Sequence, residues 1–314
     1  MTQLLVGFDS AWTERKSGAL AGVVRLTGGT YVELGAPSRA TFRDAEAQIA
    51  NWQVEQSPTS TVILLDQPTI VRNSSGQRPV ENVVSSAVSL RHGGMQPANK
   101  GQEDMFGPNA PIWGFLDTFG GAASPFERQS TRVLETYPVL SIIALNWLVP
   151  DARLTGRLPK YNPERRKTFS IDDWRFVCQQ TAAEFAARGL SALTAWAESS
   201  AQNTAPRKHD QDRLDACICL LVALRLAEEE TCLVVGNVES GYIVAPYATE
   251  LYDELGARCD KTGRTRAQFL SVIGNVGDCS SKPDNARPTV KSTPTKRRRQ
   301  GRADCKFADW YEPS

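Results

Sequence analysis

The sequence has few histidines, and its cysteines form no recognisable pattern. Only His92 and His209 occur among 314 residues, so a histidine-rich metal site or a Ser-His-Asp triad has few candidates. The seven cysteines are an odd number, and the closest pair, Cys217 and Cys219, has C-x-C spacing, which argues against a zinc site or a disulfide framework. Any metal ion is therefore expected to bind carboxylates, which favours magnesium or manganese.

The sequence also lacks long apolar runs. No segment approaches the roughly 18 consecutive apolar residues of a membrane-spanning helix. The N-terminus has neither the basic start nor the small-residue cleavage site of a signal peptide. We therefore expect a soluble, cytoplasmic protein, and the hydrophobic content of 41% is enough for a sizeable core.

The charge is distributed unevenly along the chain. The formal net charge is +1, but residues 280–314 contain nine Lys and Arg against four Asp and Glu, which leaves −4 for residues 1–279. This end is rich in Ser, Pro and Thr and contains the run Lys296-Arg297-Arg298-Arg299. The composition predicts a basic, disordered tail over residues 275–314. A nucleic-acid-binding arm, a localisation signal and a solubilising end are all open interpretations.

The first part of the chain has the pattern of an antiparallel meander. Apolar segments at residues 4–9, 19–26 and 31–34 predict three strands. Gly28 and Gly29 between the second and third segments are typical of a tight hairpin turn.

A helix and a buried strand are predicted next. Apolar residues recur at helical spacing from Phe42 to Trp52, and Thr41 with Asp44 forms a plausible N-terminal capping pair. The unbroken apolar run that ends at Asp66 is typical of a central strand.

The rest of the chain predicts one α/β domain over residues 1–274. Residues 67–129 are rich in Gly, Pro, Asn and Ser, which indicates an insertion with one helix near residues 80–90. A strand at 132–137 resumes the domain. Three helices and two extended segments follow, at residues 138–145, 170–189, 210–226, 233–235 and 242–245.

Three acidic residues follow apolar strand patterns. Asp9, Asp66 and Glu135 each lie at the C-terminal end of a predicted strand, where α/β sheets usually bind ligands. An ionised carboxylate near a buried strand is costly unless it is paired or binds a metal ion. Each acid alone could simply cap the following turn, but the set favours a shared partner.

The start of the last predicted helix adds further acidic residues. His209, Asp212 and Asp215 lie on one side of it at a spacing of three residues. Carboxylates at this spacing repel each other unless a divalent cation lies between them, or unless Arg213 and water screen them. The helix dipole is a competing explanation for Asp210 and Asp212, but it explains Asp215 less well.

Six short motifs, taken in order, resemble those of a known family. The motifs are GFDSAW at 7–12, LDQP at 65–68, ETYP at 135–138, NPERRK at 162–167, DRLDA at 212–216 and GYIVAP at 241–246. With these motifs the sequence is similar to a bacterial domain family of unknown function described as predicted RNase H-like nucleases, over about residues 3–250. The acidic D-x-x-D-A helix also resembles that of RuvC-type resolvases.

The resemblance implies a fold and a site. The fold is an RNase H-like mixed sheet, in which three antiparallel strands are followed by parallel strands and helices flank the sheet, with the insertion after the fourth strand. Asp9 is the first-strand acid that bridges two Mg²⁺ or Mn²⁺ ions, either Asp66 or Glu135 is the second acid, and Asp215 with Asp212 completes the site. The implied activity is metal-dependent hydrolysis of nucleic acid.

Several residues are candidates for supporting roles. His209 is a candidate for proton transfer, with an exposed helix cap as the alternative. Basic residues after the fourth strand and before the last helices are candidates for phosphate binding to DNA or RNA, although such residues are also common on solvated surfaces. This set consists of Arg72, Arg78, Lys160, Arg165, Arg166 and Lys167, with Arg91, Arg153 and Arg157 nearby.

Two other functions remain open. A non-catalytic nucleic-acid-binding module could use the basic residues alone, but negative charges would not help it where phosphate must approach. A nucleotide phosphohydrolase or phosphotransferase of the same superfold would usually have a Gly-rich phosphate loop after the first strand, and Ser10-Ala11-Trp12-Thr13 has none.

Overall fold

Two neighbouring glycines turn the chain within the first sheet. In the computed structural model, which describes residues 2–13, 16–152 and 155–274, Gly28 and Gly29 have φ angles of 106° and 90°. Glycine adopts such angles without steric cost, so the predicted hairpin turn is confirmed. The meander is confirmed as well, because β2 (Gly18–Arg25) pairs antiparallel with both β1 (Gln3–Asp9) and β3 (Tyr31–Glu33).

The other half of this sheet is parallel. Strand β5 (Ser60–Leu65) pairs parallel with β1, and β6 (Thr131–Glu135) pairs parallel with β5. The strand order is β3-β2-β1-β5-β6, with a short unpredicted strand β4 (Ser38–Ala40) against β2. The chain therefore has an α/β fold with a mixed sheet, as predicted.

Helices cover both faces of the sheet, and β1 alternates between them. Its residues Leu4, Val6 and Phe8 belong to one apolar cluster with α1 (Phe42–Gln56), whereas Leu5 belongs to the cluster that contains α8 (Lys208–Ala227). The Thr41 hydroxyl accepts a hydrogen bond from Asp44 N at 3.2 Å, which confirms the predicted cap of α1. Because side chains alternate along a strand, the side chain of Asp9 is directed to the α8 face.

The insertion contributes to the core. It contains the predicted helix α2 (Pro79–Leu90) and two further helices, α3 (Glu103–Phe106) and α4 (Pro111–Thr118). Phe115 of α4 packs against Phe8 and Phe42, with ring centroids 5.4 and 5.5 Å apart. Residues 67–129 thus form part of the domain interior, which their Gly-rich and Pro-rich composition did not predict.

The C-terminal part adds a second sheet, which is antiparallel and consists of β7 (Cys232–Asn237), β8 (Gly241–Pro246) and β9 (Leu270–Ile273) in the order β8-β7-β9. It is linked to the first sheet beyond β6, where the Thr136 hydroxyl donates to Val244 O at 2.7 Å. The helices of this part are α5 (Pro138–Ala144), α6 (Ile171–Ala186), α7 (Ser191–Ala201), α9 (Thr249–Lys261) and α10 (Arg266–Phe269). Of these elements, α7, α9, α10 and β9 were not predicted.

All the described residues belong to one compact unit. The predicted basic tail, residues 275–314, and Arg153 lie outside the described residues. Within the described part of the chain, no helix is both long enough and apolar enough to cross a membrane.

Candidate acidic site

A glycine brings the longest helix onto the central strand. A Cβ atom at Gly7 would lie 2.1 Å from Ala216 O and 2.3 Å from Leu220 N, so only glycine allows α8 to approach β1 this closely. Asp9 lies two residues after Gly7, on the same face of the strand. Asp215 lies one residue before Ala216 on α8, so the close contact brings these two acids towards each other.

Four predicted acids meet where β1 and β5 end. Asp9, Asp212 and Asp215 are only 6%, 6% and 5% exposed, whereas Asp66 is partly exposed. Asp66 N donates to Phe8 O at 2.9 Å, which places Asp66 beside the end of β1. We call Asp9, Asp66, Asp212 and Asp215 the aspartate cluster.

One lysine is the cation of this cluster. Lys208 Nζ donates to Asp212 Oδ1 one helical turn away. Burial opposes the charge of Lys208, but the fields of Asp9, Asp215 and Asp212 outweigh burial and raise its pKa. The cluster thus holds four carboxylates against one ammonium group among the described residues.

Asp215 is fixed by two further side chains. Tyr161 OH donates to its Oδ1 at 2.7 Å, and Gln211 Nε2 donates to its Oδ2 at 2.8 Å. The pKa of Tyr161 is raised above its usual value by burial and by the negative charge of Asp215, which keeps the phenol protonated as a donor. Asp215 is therefore oriented before any ligand binds.

The carboxylates of the cluster resist simultaneous ionisation. Burial raises the pKa of Asp9 well above its ordinary value, and the charges of Asp66, Asp215 and Asp212 raise it further. The pKa of Asp66 is raised by burial and by Asp215 in the same way. The pKa of Asp215 is raised to about 6 by burial, against the effects of Lys208, Tyr161 and Gln211. At neutral pH the cluster is consequently short of positive charge.

Glu135, the other candidate for the second acid, lies in a different environment. Arg78 donates to both of its oxygens, at 2.6 and 2.8 Å, and Thr69 N donates to Oε2 at 3.1 Å. Arg78 also donates to Glu81 Oε1 at 2.7 Å. We call Glu81 and Glu135 the glutamate pair. Because Arg78 holds both oxygens of Glu135, Asp66 is the better candidate for the second acid.

The loops after β1 and β5 are tied together beside the cluster. Ser10 Oγ donates to Gln67 Oε1 at 2.5 Å, and Trp12 Nε1 donates to Asp66 O at 2.9 Å. The Trp12 ring packs edge-on against Phe106 of the insertion, with centroids 5.7 Å apart. The position of Asp66 thus depends on the insertion as well as on β5.

The cluster fits a hard divalent cation in its chemistry. Among the described residues, no group of three or more His, Cys, Asp and Glu side chains is arranged to hold a metal ion by itself. Mg²⁺, however, is often bound by one or two protein carboxylates, with water and substrate phosphates as its other ligands. The raised pKa values of Asp9 and Asp66 indicate carboxylates that lack sufficient positive charge. In their chemistry the residues therefore fit a hard divalent cation that keeps other ligands besides the carboxylates.

The predicted phosphate-binding residues divide into two groups. Arg78 is only 1% exposed and is held by the glutamate pair, so its assignment to phosphate binding is corrected. Arg91 pairs with Glu254, and Arg157 pairs with Asp173. Lys160 Nζ donates to His92 O. The remaining members of the set are exposed: Arg72, Arg165, Arg166 and Lys167.

His209, the candidate for proton transfer, is partly exposed on α8. Its Nε2 lies 3.4 Å from Asp210 Oδ1, an acid outside the aspartate cluster. The N-cap residue of α8 is Arg207 and not His209, and the role of His209 in proton transfer stays a prediction.

The sequence analysis did not identify Lys208, Tyr161 or Gln211. Lys208 and Gln211 each lie four residues before the aspartate they contact, a spacing that places side chains together on a helix. That spacing was a usable signal. Tyr161 is 54 residues from Asp215, and no local pattern links the two.

The chain belongs to the family described as "Protein of unknown function (DUF429)", whose model matches residues 7–240. No curated protein and no solved structure matches the chain. The expected resemblance to a family of unknown function is thus confirmed, and the matched range contains the whole aspartate cluster.

Proposed function

We propose that this protein is a divalent-metal-dependent nuclease with an RNase H-like fold, and that Asp9, Asp66, Asp212 and Asp215 form its active site. The observation that carries the proposal is the aspartate cluster itself. Acids from the ends of two neighbouring parallel strands and from one helix meet, and Lys208 is their only countercharge among the described residues. Buried charges are normally paired, and carboxylates with raised pKa values in a cleft are typical of functional sites.

The order of the strands supports the proposed fold. An antiparallel β1-β2-β3 meander with β5 and β6 parallel to β1 matches the arrangement that the motif resemblance implies. The acids lie at the C-terminal ends of β1 and β5, the usual edge for ligands in α/β sheets.

The cluster residues have distinct roles in the proposed mechanism. Asp9 and Asp66 would hold the ions, because their pKa values are raised and none of the described residues donates a hydrogen bond to their carboxylate oxygens. Asp215 is held in place by Tyr161 and Gln211. Lys208 neutralises Asp212. Two bound Mg²⁺ or Mn²⁺ ions would activate a water molecule and stabilise the leaving oxygen in phosphodiester hydrolysis.

A basic loop starts at the aspartate cluster. Tyr161 contacts Asp215, and four to six residues later the chain presents Arg165, Arg166 and Lys167 to solvent. These three side chains have no ion pair among the described residues. Such cations provide salt-dependent affinity for a phosphate backbone without reading its sequence. The loop therefore supports a DNA or RNA strand as the substrate.

The direct test is cleavage of labelled DNA and RNA, single-stranded and double-stranded, in the presence of Mg²⁺ or Mn²⁺. The variants Asp9→Asn and Asp215→Asn should lose on the order of 100-fold or more of the cleavage rate. Asp172→Asn is the matched control, because it removes an aspartate that is 84% exposed on α6. Circular dichroism establishes that all the variants are folded.

Three results would contradict the proposal in different ways. Equal loss of cleavage in Asp172→Asn would show that the aspartate cluster is not the site. A folded wild type that binds nucleic acid but never cuts it would indicate a non-catalytic binding module. Hydrolysis of nucleoside triphosphates without cleavage of nucleic acid would favour a nucleotide phosphohydrolase.

A further inference from the structure

We propose that a pocket in the insertion, formed by Arg72, Lys100, Trp113 and Asp117, binds one nucleotide of a single-stranded nucleic acid. The inference rests on the proposed function, because it identifies where a substrate strand continues beyond the aspartate cluster. The pocket has a volume of about 300 Å³, at the lower end of the range for small-molecule sites. Its size suits a single nucleotide unit.

The two cations of the pocket are free to bind an anion. Arg72 and Lys100 are both exposed and line the same pocket. In the part of the chain that the structure describes, neither side chain forms an ion pair or a hydrogen bond. The buried arginines Arg78 and Arg91, in contrast, are each paired with glutamate. Arg72 and Lys100 can therefore bind a phosphate, by donating hydrogen bonds to it, without breaking an existing interaction.

The wall of the pocket is a tryptophan that is held in a fixed position. Trp113 Nε1 donates to Gly107 O at 2.7 Å. The Trp113 ring packs against the apolar cluster that contains Phe8 and Phe115, and against a small cluster that contains Val71 and Phe106. Bases of every type stack on aromatic side chains in proteins that bind single strands. A ring already anchored at its edge loses little conformational entropy when a base stacks on it.

Asp117 distinguishes a nucleotide from a simple anion. It lies on α4 one turn after Trp113, is exposed, and lines the pocket together with the two cations. A carboxylate repels a bare phosphate or sulfate, but it accepts hydrogen bonds from the amino group of a base or from a sugar hydroxyl. The combination favours a ligand that carries both a phosphate group and hydrogen-bond donors.

The pocket is close to the aspartate cluster. Thr69 lines it, and Thr69 N donates to Glu135 at the end of β6. Asp66 precedes Thr69 by three residues, a separation of at most about 11 Å for an extended chain. At roughly 3.4 Å per nucleotide in a stacked strand, the pocket edge is within about three nucleotides of Asp66. One strand can therefore occupy both places.

The test measures the binding of a fluorescein-labelled deoxycytidine 12-mer, whose bases carry the amino group that Asp117 can accept from, by fluorescence anisotropy with EDTA present to prevent cleavage. The double variant Arg72→Ala/Lys100→Ala should bind at least about tenfold more weakly, and its salt dependence should fall by a slope of about 1 to 2. Trp113→Leu should weaken binding about tenfold without changing that slope. The matched control is Arg175→Ala/Lys261→Ala, which removes two positive charges from α6 and α9.

Each outcome decides the proposal. Weaker binding in both pocket variants, with the control unchanged, supports the pocket. Equal binding in the pocket double variant and the control overturns it, while the nuclease proposal stands if Asp9→Asn still abolishes cleavage. If Trp113→Leu is misfolded by circular dichroism, the double variant Arg72→Ala/Lys100→Ala and its control decide the proposal. A wild type that does not bind the 12-mer overturns the pocket, whereas the cleavage assay judges the aspartate cluster separately.

Discussion

The aspartate cluster and the glutamate pair are neighbouring groups of acids that differ in how far cations and hydrogen-bond donors compensate their negative charge. Arg78 bonds to both Glu81 and Glu135, and the backbone NH groups of Thr69 and Ala98 donate to them as well. In the aspartate cluster, Lys208 is the one cation that faces the four carboxylates in the described part of the chain. Asp66 and Glu135 follow or end adjacent parallel strands, β5 and β6, so the difference between them does not come from their position along the sheet.

The difference separates a structural role from a functional one. Paired and hydrogen-bonded carboxylates can be buried without a ligand, and the glutamate pair meets that condition. Carboxylates that raise each other's pKa values make the native state less stable than it could be. Such a cost is common where a ligand is bound, because binding supplies the missing countercharge.

The largest expected effect concerns the glutamate pair. Arg78→Met should lower the free energy of unfolding by about 3 to 5 kcal/mol, because it leaves two buried glutamates without their cation. Urea denaturation measures this change. The control Arg175→Met breaks an exposed ion pair with Asp172, and should cost at most about 1 kcal/mol. Equal effects of the two variants would mean that the glutamate pair does not depend on Arg78.

A second prediction concerns the approach of α8 to β1. Gly7→Ala should lower the free energy of unfolding by about 3 kcal/mol, because the new Cβ would overlap the backbone of α8. The control is Gly114→Ala on α4, where a Cβ would meet nothing within 4 Å. Since alanine favours helix more than glycine does, the control should be neutral or more stable by up to about 1 kcal/mol. Thermal and urea unfolding compare the two.

The aspartate cluster should respond to neutralisation in the opposite direction from the glutamate pair. Asp9→Asn should raise the free energy of unfolding at pH 7.5, without divalent ions, by on the order of 1 to 2 kcal/mol, because it removes a carboxylate whose ionisation is unfavourable. A clear loss of stability would contradict the view that these acids are undercompensated.

The pH dependence has a definite sign. The pKa of Asp215 is raised from its usual 3.8 to about 6, so between these values the native chain holds a proton that the unfolded chain has released. The contribution of Asp215 to the free energy of unfolding therefore falls as the pH rises from about 4 to 6. Urea denaturation in EDTA at pH 5 and pH 7.5 should show greater stability at pH 5 for the wild type, and a smaller difference for Asp215→Asn.

The smallest expected effect is stabilisation by metal ions. Mg²⁺ or Mn²⁺ at ten times its dissociation constant should stabilise the wild type by about 1.4 kcal/mol, and more at pH 7.5 than at pH 5, because the carboxylates must be ionised to bind it. Differential scanning fluorimetry measures the shift in Tm. Asp9→Asn should lose the shift, whereas the exposed control Asp172→Asn should keep it.

Local patterns predicted much of the fold. The Gly28-Gly29 hairpin, the Thr41 cap and the strands before Asp9 and Asp66 depend on residues close together in the chain, and the structure contains all of them. The insertion was harder to interpret. The sequence around Phe115 has the composition of a loop. In the structure it forms α4, and Phe115 packs against Phe8. Its contribution to the core therefore depends on a contact between residues that are distant in sequence.

The same limit applied to the site. The acids could be recognised because each follows an apolar strand or begins a buried helix. Nothing near Glu135 in the sequence indicates that Arg78, 57 residues away, holds it, and Arg78 was accordingly predicted to bind phosphate. Whether an acid or a base is free or paired depends on which elements pack together.

The sequence by itself determined which residues could carry the chemistry: the acids at strand ends, the acidic start of α8 and the exposed basic loop. These candidates follow from the hydrophobic periodicity of the sequence and from the desolvation free energy of carboxylates beside buried segments. Only the tertiary structure decided their environments. It brought Lys208 and Tyr161 to the aspartate cluster and Arg78 to the glutamate pair. It gave the side chains of Arg72 and Lys100 no partner within residues 2–13, 16–152 and 155–274. The physical reason is that charge interactions and desolvation depend on distances in space. These distances are fixed only when α8 packs against β1 and the insertion packs against β5.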